Sequence, residues 1–186
     1  MDTKEILSHI DHTVLKAVAT EKDIDALCEK ILFPVIVKPC DGSGSRGAAR
    51  VDKKEQLDKA CKNAAAASLT HRALIETFII GQEYGAESLV INGEIHVLGI
   101  MRKWMTKPPY YAELGHAVPT VLPKNIEDRA KQCVERAIKA LGINFGSVNM
   151  DMLITAEGKI HIIDIGARMG GNMIGPCVIP YGTGID

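Results

Sequence analysis

Two turn signals, each between two strand-like apolar runs, constrain the fold of this chain more than any other feature. The pair Asn92-Gly93 is typical of a two-residue hairpin turn, and the segment 156–158 separates two further runs. Hairpins produce antiparallel sheet, and a helical stripe of apolar residues over 125–141 lies between them. We therefore predict an α+β fold rather than a doubly wound parallel sheet. The hairpin strands are predicted at 87–90, 94–100, 148–155 and 159–165.

The remaining elements are predicted from hydrophobic periodicity and from the positions of glycine and proline. Residues 1–16 carry a helical pattern, and Thr20 is typical of the N-cap of a second short helix. The segment 101–123 holds Trp104 and four prolines, which predicts a long loop. The other predicted elements are strands at 33–39 and 74–80, a glycine-rich loop at 41–48, a helix over 53–68 and an irregular tail over 166–186.

The charge balance argues against two classes of partner. The 186 residues contain 22 Lys and Arg and 23 Asp and Glu, which gives a net charge of −1. We therefore expect no nucleic acid and no membrane as partner, and no apolar run approaches the roughly 18 residues of a membrane span. The five cysteines form an odd, scattered set without a CxxC pair, which indicates reduced thiols and a cytoplasmic location.

The first candidate site is a lysine near the end of a strand, followed by a glycine-rich loop. Lys38 precedes Gly42, Gly44 and Gly47. Glycines let backbone N–H groups approach phosphate oxygens closely, and a lysine supplies a positive charge. The segment is neither a P-loop nor a dinucleotide fingerprint. The alternative is an ordinary glycine-rich surface turn.

The second candidate site is the end of the strand 74–80. Glu76 lies on this strand, and Glu83 follows the turn at Gly81. Backbone groups at a strand end can bind an adenine edge, and a carboxylate can accept hydrogen bonds from both ribose hydroxyls. The alternative is a plain strand with a solvated glutamate.

The third candidate site is a pair of aspartates on the second hairpin. Asp151 and Asp164 stand at equal distances from the Glu157-Gly158 turn, so we expect them to face each other. Facing carboxylates repel unless a cation bridges them, and their oxygens suit Mg²⁺. The alternative is one solvated aspartate and one paired with Arg or Lys. Arg168 follows on a glycine-rich turn and can bind a carboxylate or phosphate, unless this turn is only structural.

In this order and spacing, these elements resemble the ATP-grasp superfamily, and in particular its ligases that join a carboxylic acid to an amine. The resemblance covers about 32–186. It implies two α+β lobes whose antiparallel sheets sandwich a nucleotide, with a small lobe at 32–75 and a larger lobe at 76–186. Residues 1–31 form a separate helical segment in this reading, and its first 30 residues resemble the N-terminus of deoxyribose-phosphate aldolase.

The resemblance also implies a role for each matching residue. Lys38 would hold the ATP phosphates, Glu83 would bind the ribose, and Arg168 would bind the acyl phosphate or a substrate carboxylate. Lys38 and Arg168 are thus the implied catalytic residues. The implied ATP-binding set is Lys38, Gly42, Ser43, Gly44, Ser45, Gly47, Glu76, Thr77, Phe78, Ile79 and Glu83; the implied magnesium ligands are Asp151 and Asp164; the implied substrate contacts are Glu113, His116, Arg168 and Asn172.

The chain departs from the family pattern at several points. The second acidic metal ligand is usually Glu but here is Asp164, and the Asn usual two residues later is Gly166; Asn172 is a candidate to compensate. We expect this chain to lack the pre-ATP-grasp domain that such ligases carry. We therefore expect a homodimer, or a partner chain that supplies this domain.

The implied reaction is ATP-dependent ligation with Mg²⁺. A small-molecule carboxylate attacks the γ-phosphate to give an acyl phosphate and ADP, and an amine then displaces phosphate. One alternative is a nucleotide-binding fragment without independent catalysis. A remote alternative is an aldolase-related protein.

Overall fold

The computed structural model describes residues 13–15, 32–107 and 111–185. These described residues form two compact units. The N-terminal unit contains the described residues up to 78 and those between 105 and 113, and the C-terminal unit contains 79–104 and 114–185. Most of the segment predicted as helical at 1–31 lies outside the described residues.

The N-terminal unit is built on an antiparallel sheet. Its strands, as far as the chain is described, lie in the order β1-β4-β2-β3, and each neighbouring pair is antiparallel. A 3₁₀ turn at Lys54–Gln56 leads into helix α1. The bounds are β1 Thr13–Leu15, β2 Val35–Pro39, β3 Ala49–Val51, α1 Leu57–Ala67 and β4 Ala73–Thr77.

Alternation along the strands of this unit creates its core. Val35 and Val37 are buried on β2, whereas Ile36 and Lys38 between and after them are half-buried. The buried face packs against α1, where Leu57 is inaccessible to solvent. Burial of one such leucine side chain contributes about 1.5–3 kcal/mol to folding. The face that carries Lys38 is thereby left for polar groups.

The C-terminal unit contains a second sheet, which within the described residues has the strand order β7-β6-β5-β8-β9. The pairs β5–β6, β5–β8 and β8–β9 are antiparallel, so β5 has a hydrogen-bonded partner on either side. The bounds are β5 Gln82–Ile91, β6 Glu94–Met105, β7 Glu113–Ala117, α2 Lys124–Ala140, β8 Gly146–Ile154 and β9 Ile160–Gly166.

Helix α2 covers one face of this sheet. Its apolar stripe of Ala130, Val134 and Ile138 packs against alternate residues of the central strands, such as Met150 and Met152. Both methionines are buried, and the residue between them, Asp151, points to the opposite face. The alternation of β8 therefore places apolar side chains against α2 and polar side chains on the far side of the sheet.

The predicted α+β class is confirmed, and so are the helix over 125–141 and both hairpins. Three local predictions are wrong. Residues 101–123 are not one long loop, because β6 continues to Met105 and β7 occupies Glu113–Ala117. The described part of 1–16 is strand β1 rather than helix. The tail is not irregular, because it contains a π-helical turn at Ile174–Val178 and helix α3 at Ile179–Thr183.

The tail becomes ordered because it covers apolar surface. Ile174 and Ile179 are buried against Met101 of β6, with Val118 and Val178 beside them. Some glycines of the tail are needed for close packing, since a Cβ on Gly182 would lie 2.7 Å from that of Val118.

In the part of the chain that the structure describes, no helix combines the length and hydrophobicity needed to cross a bilayer.

Candidate functional site

The face of the C-terminal sheet opposite α2 carries the candidate site, and we call it the polar face. Cross-strand register pairs Gly85 with Asp151 and Glu87 with Asn149 on β5 and β8. Directly opposed residues of antiparallel strands share a face, so these side chains lie together. The polar face comprises Glu83, Glu87, Lys103, Asn149, Asp151 and Asp164.

Lys103 is a buried cation at the middle of the polar face. Its side chain is 2% exposed, and its Nζ lies 3.0 Å from Oε1 of Glu83 and 2.9 Å from Oδ2 of Asp151. A buried ammonium is costly unless carboxylates compensate it, and two do so here. The ion pairs therefore hold Glu83 and Asp151 beside each other on neighbouring strands.

Asp164 stands directly across from Asp151. The register of β8 and β9 pairs these two residues, which confirms the expectation from their equal distance to the turn. The register shifts immediately afterwards, between Asp151 and Met152, and such bulges are common beside functional sites. Asp164 is exposed and Asp151 is half-buried. The two carboxylates offer the oxygen ligands that Mg²⁺ prefers.

A second cluster on the polar face links Glu87 to Arg168. Glu87 Oε2 accepts a hydrogen bond from Asn149 Nδ2 at 3.0 Å, and Asn149 Oδ1 accepts one from Arg168 Nη1 at 3.1 Å. Burial raises the pKa of Glu87 above its ordinary value and outweighs the opposing effects of the hydrogen bonds from Gly170 and Asn149 and of the charge of Arg168. The arginine is thus tied to a buried carboxylate through one amide.

The turn after β9 brings Arg168 to this cluster. Arg168 Nη1 also donates to the carbonyl of Met169 at 2.9 Å, and the Gly170 N–H donates to Glu87 Oε1 at 3.1 Å. A Cβ on Gly170 would lie 2.9 Å from Asn149 Nδ2 and from Glu87 Oε2, so a larger residue does not fit there. Asn172 follows on this turn with a φ of 53° and is exposed.

The predicted substrate residues Glu113 and His116 both belong to β7. Glu113 is the exposed first residue of the strand, and His116 is half-buried. This strand lies at one edge of the five-stranded sheet, next to β6. The segment predicted as a loop thus supplies a strand, and both residues stay substrate-contact predictions.

In the N-terminal unit, Lys38 and Glu76 form an ion pair. Lys38 Nζ lies 2.6 Å from Glu76 Oε2, and both side chains are largely buried. The strands β2 and β4 are paired, so the two residues lie on the sheet face that is not covered by α1. Lys38, which was predicted to contact phosphate, and Glu76, which was predicted to lie in the adenine segment, are therefore neighbours.

The predicted phosphate loop is exposed and follows β2 directly. Gly44, Ser45 and Gly47 have positive φ values of 63°, 57° and 81°, which only glycine adopts without strain. Gly47 is also packed closely, because a Cβ there would lie 2.8 Å from that of Ala67. Gly42, Ser43 and Gly44 are solvent-exposed, and Arg46 Nη2 donates to the Ser43 hydroxyl at 3.3 Å.

Asp41 anchors the beginning of this loop. Its carboxylate accepts hydrogen bonds from the backbone N–H groups of Leu69 at 3.0 Å and Thr70 at 2.9 Å, just after α1. A hydrogen bond from the Ser68 side chain, together with those from Thr70 and Leu69, lowers the pKa of Asp41 to about 2. The first residue of the loop is thereby attached to the backbone that follows α1.

The predicted adenine segment lies where the chain leaves the N-terminal unit. Thr77 is the exposed last residue of β4, and the Phe78 N–H donates to the carbonyl of Pro34 at 3.2 Å. The Arg50 guanidinium lies 4.5 Å from the centroid of the Phe78 ring. Ile79 is the first residue of the C-terminal unit.

An open cavity of about 910 Å³ begins at Ile79 in the C-terminal unit. Its lining includes Tyr84, Ile126 and Ile154, which belong to the α2 side of the sheet. The cavity is therefore separate from the carboxylates of the polar face.

Three residues of the polar face were missed by the sequence reasoning, namely Glu87, Lys103 and Asn149. Glu87 has a detectable signal, because it stands four residues after Glu83 and so shares its face in a strand. Lys103 lies in the segment that was predicted as a loop. Burial raises the pKa of both Cys40 and Cys133, which disfavours the thiolate at these two residues.

The comparisons with known proteins agree with this architecture. A family model described as an ATP-grasp domain matches residues 31–176. The chain therefore belongs to the ATP-grasp family, as its motifs predict.

Solved structures show the same fold. An L-amino acid ligase from Bacillus licheniformis is 28% identical with a TM-score of 0.79, and the match covers 98% of this chain and 43% of the ligase. A biotin carboxylase from Campylobacter jejuni is 20% identical with a TM-score of 0.81, over 99% of this chain and 42% of the carboxylase, and it shows the fold alone.

A curated relative is the uncharacterized protein y4rH of Sinorhizobium fredii. It is 26% identical over 161 residues, which are 84% of this chain and 33% of y4rH. The chain thus spans about a third of this relative and less than half of the ligase.

Proposed function

We propose that this chain is the core of an ATP- and Mg²⁺-dependent ligase that joins a carboxylic acid to an amine. The observation that carries the proposal is the pair Asp151 and Asp164 in cross-strand register, followed at once by Arg168, which is tied to the same polar face. Acidic oxygens beside a fixed guanidinium suit a reaction that transfers phosphoryl groups to a carboxylate.

The proposed substrates are two L-amino acids, one as the acid and one as the amine. The 28% identity to an L-amino acid ligase supports this class. The charge of an amino-acid carboxylate also matches Arg168, since a guanidinium binds carboxylates with two parallel hydrogen bonds.

Lys38 and the loop 42–47 are the proposed contacts of the ATP phosphates. The lysine supplies a charge that Glu76 balances at 2.6 Å, and the exposed loop offers N–H groups and the hydroxyls of Ser43 and Ser45. Thr77 to Ile79 would contact adenine mainly through backbone groups, and Glu83 would bind the ribose.

The residues present suit Mg²⁺. Asp151 and Asp164 supply the hard oxygen ligands that this ion takes when it binds with phosphates, and Gly166 supplies no side-chain ligand. When bound, the ion would neutralise charge on the phosphate oxygens. Asp151 also pairs with Lys103 through its Oδ2, which holds the carboxylate in place on the polar face.

The proposed reaction has two steps. A carboxylate oxygen of the acid attacks the γ-phosphorus, the bond to the β,γ-bridging oxygen breaks, and ADP leaves. The amine nitrogen then attacks the acyl carbon, phosphate departs with the C–O bond electrons, and the nitrogen loses a proton. Arg168 would stabilise the negative acyl phosphate, while Glu113, His116 and Asn172 would contact the substrates.

The first experiment is calorimetric titration of the protein with ATP, with and without Mg²⁺. Micromolar binding that requires Mg²⁺ is the expected result. The second step is a screen of paired L-amino acids for ADP release, in which both members of a pair must be needed. Binding without ADP release from any pair would favour the nucleotide-binding alternative, and no ATP binding would refute the proposal.

A further inference from the structure

We propose that Glu87 is a positioning residue that holds Arg168 in place through Asn149 and the Gly170 turn. This inference rests on the proposed function, because it gives Arg168 its role toward the acid. Glu87 itself touches no substrate in this proposal. It acts only through the orientation of one amide and one backbone turn.

The geometry forms a continuous chain of hydrogen bonds. Asn149 Nδ2 donates to Glu87 Oε2 at 3.0 Å, and Arg168 Nη1 donates to Asn149 Oδ1 at 3.1 Å. The Gly170 N–H donates to both Glu87 oxygens, at 3.1 Å and 3.2 Å. Arg168 is therefore held at its guanidinium by Asn149 and, two residues later, at the backbone by Glu87.

When Glu87 is ionised, the donor and acceptor types allow one arrangement of this network. An ionised carboxylate only accepts hydrogen bonds, so Glu87 requires the NH₂ group of Asn149 to face it. The amide oxygen of Asn149 must then point the other way, toward Arg168. A guanidinium only donates hydrogen bonds, so this oxygen is the acceptor that it needs. The orientation of Asn149 thus follows from the charge of Glu87.

Burial makes the network costly to break. Glu87 is 1% exposed, and Asn149 is buried beside it. A buried carboxylate persists when hydrogen bonds and a positive charge compensate it, and Arg168 supplies that charge through the amide. The space is also closed, since a Cβ on Gly170 would lie 2.9 Å from both Asn149 Nδ2 and Glu87 Oε2.

The inference can be tested by exchanging the two polar groups. Glu87→Gln leaves one acceptor oxygen for two donors, so either the Gly170 N–H loses its acceptor or Asn149 turns its NH₂ group toward Arg168. In the double variant E87Q/N149D, the introduced amide oxygen accepts from Gly170 and the introduced NH₂ group donates to the new carboxylate. That carboxylate in turn accepts from Arg168. The exchange therefore gives every donor in the network an acceptor again and keeps the net charge, although the Gly170 N–H then donates to one oxygen instead of two.

The kinetic readout uses whichever pair of L-amino acids supports ADP release. We expect E87Q to lower kcat/KM for the acid by about tenfold or more, with the KM for ATP changed less than about twofold. The exchanged variant should recover to within about threefold of the unmodified protein. A matched control is E94Q/N63D, which makes the same two changes at exposed positions and should behave as the unmodified protein.

A second readout needs no turnover and separates this inference from the proposed function. Hydrogen exchange of the Arg168 guanidinium and of the Gly170 amide is followed by NMR. In E87Q at least one of these groups should exchange about tenfold faster or more, and both should be protected again in E87Q/N149D.

Two results would overturn the inference. The first is that both groups keep their protection in E87Q. The second is that the folded double variant exchanges as fast as E87Q. If protection follows the prediction but no amino-acid pair gives ADP release, the positioning network stands and the proposed ligase function fails.

Discussion

Lys103 shows at the scale of single residues how the polar face is held together. Its ammonium lies between Glu83 and Asp151, and its side chain is almost inaccessible to solvent. Removing one partner from a buried ionic cluster leaves the other charges uncompensated and strongly lowers the free energy of unfolding. Replacing the whole cluster by apolar side chains of similar volume has a smaller effect. The stability of this face should therefore depend on the lysine.

The variant Lys103→Met keeps most of the side-chain volume and removes the charge. We expect it to lower the free energy of unfolding by about 3–5 kcal/mol, because Glu83 and Asp151 are left facing each other. Urea denaturation followed by circular dichroism measures the change. Lys62→Met removes an exposed i,i+4 ion pair with Asp58 and should cost less than about 1 kcal/mol. Equal losses in both variants would contradict the prediction.

Asp41 gives a pH dependence at the residue scale. Its pKa is lowered from 3.8 to about 2 in the folded state, so the carboxylate contributes stability above pH 3.8. That contribution is lost as the pH falls toward 2. In Asp41→Asn we expect the unfolding midpoint to lose this part of its pH dependence, measured by urea titrations between pH 2 and 7. The exposed Glu55→Gln is the control, and an unchanged acid profile in Asp41→Asn would contradict the prediction.

Single residues also show which contacts of the polar face the sequence pattern can predict and which it cannot. The facing of Asp151 and Asp164 was predictable, because both are the same number of residues from a tight turn. The partnership of Lys103 with Asp151 was not, because nothing in the sequence pairs β6 with the polar groups of β8. That neighbourhood exists only once β5 lies between these two strands.

At the scale of elements, helix α2 is the most predictable part of the fold. Its apolar stripe repeats at helical spacing, and the structure buries that stripe against the sheet. The alternation of β8 then leaves Asp151 on the other side. The helix thus determines which face of the sheet is available for polar chemistry.

The variant Ile138→Ala tests this packing. Ile138 is 0% exposed, so we expect its truncation to lower the free energy of unfolding by about 2–5 kcal/mol. Leu141→Ala, at a position that is 54% exposed, should cost less than about 1 kcal/mol. Thermal and urea unfolding of both variants provide the measurement. The packing of α2 would be called into question if the two variants lost the same stability.

The elements that the sequence reasoning missed share a physical cause. Prolines and glycines in 101–123 and 166–186 reduce local propensity, which predicts loops. Tertiary contacts override this propensity, because β6 is needed beside β5 and the tail helix buries Ile179 against Met101. Such contacts between distant segments cannot be predicted from the local amino-acid composition.

At the scale of the whole molecule, the prediction concerns ATP binding with Mg²⁺. Lys38→Ala should weaken ATP binding by about tenfold or more, since a hydrogen bond to a charged group contributes about 1.5–3 kcal/mol. Asp164→Asn should remove the dependence of ATP binding on Mg²⁺. Isothermal titration calorimetry measures both effects, with the exposed Lys59→Ala as control. Unchanged ATP affinity in both variants would refute the nucleotide-site assignment.

The sequence by itself determined the fold class, the family and the order of the motifs. Periodicity and turn residues act over a few neighbours along the chain, so these features can be recognised without a structure. Only the tertiary structure decided that Lys103 joins Glu83 to Asp151, that Glu87 reaches Arg168 through Asn149, and that the tail covers β6. These contacts join residues that are far apart in sequence, and strand pairing and burial alone bring them together.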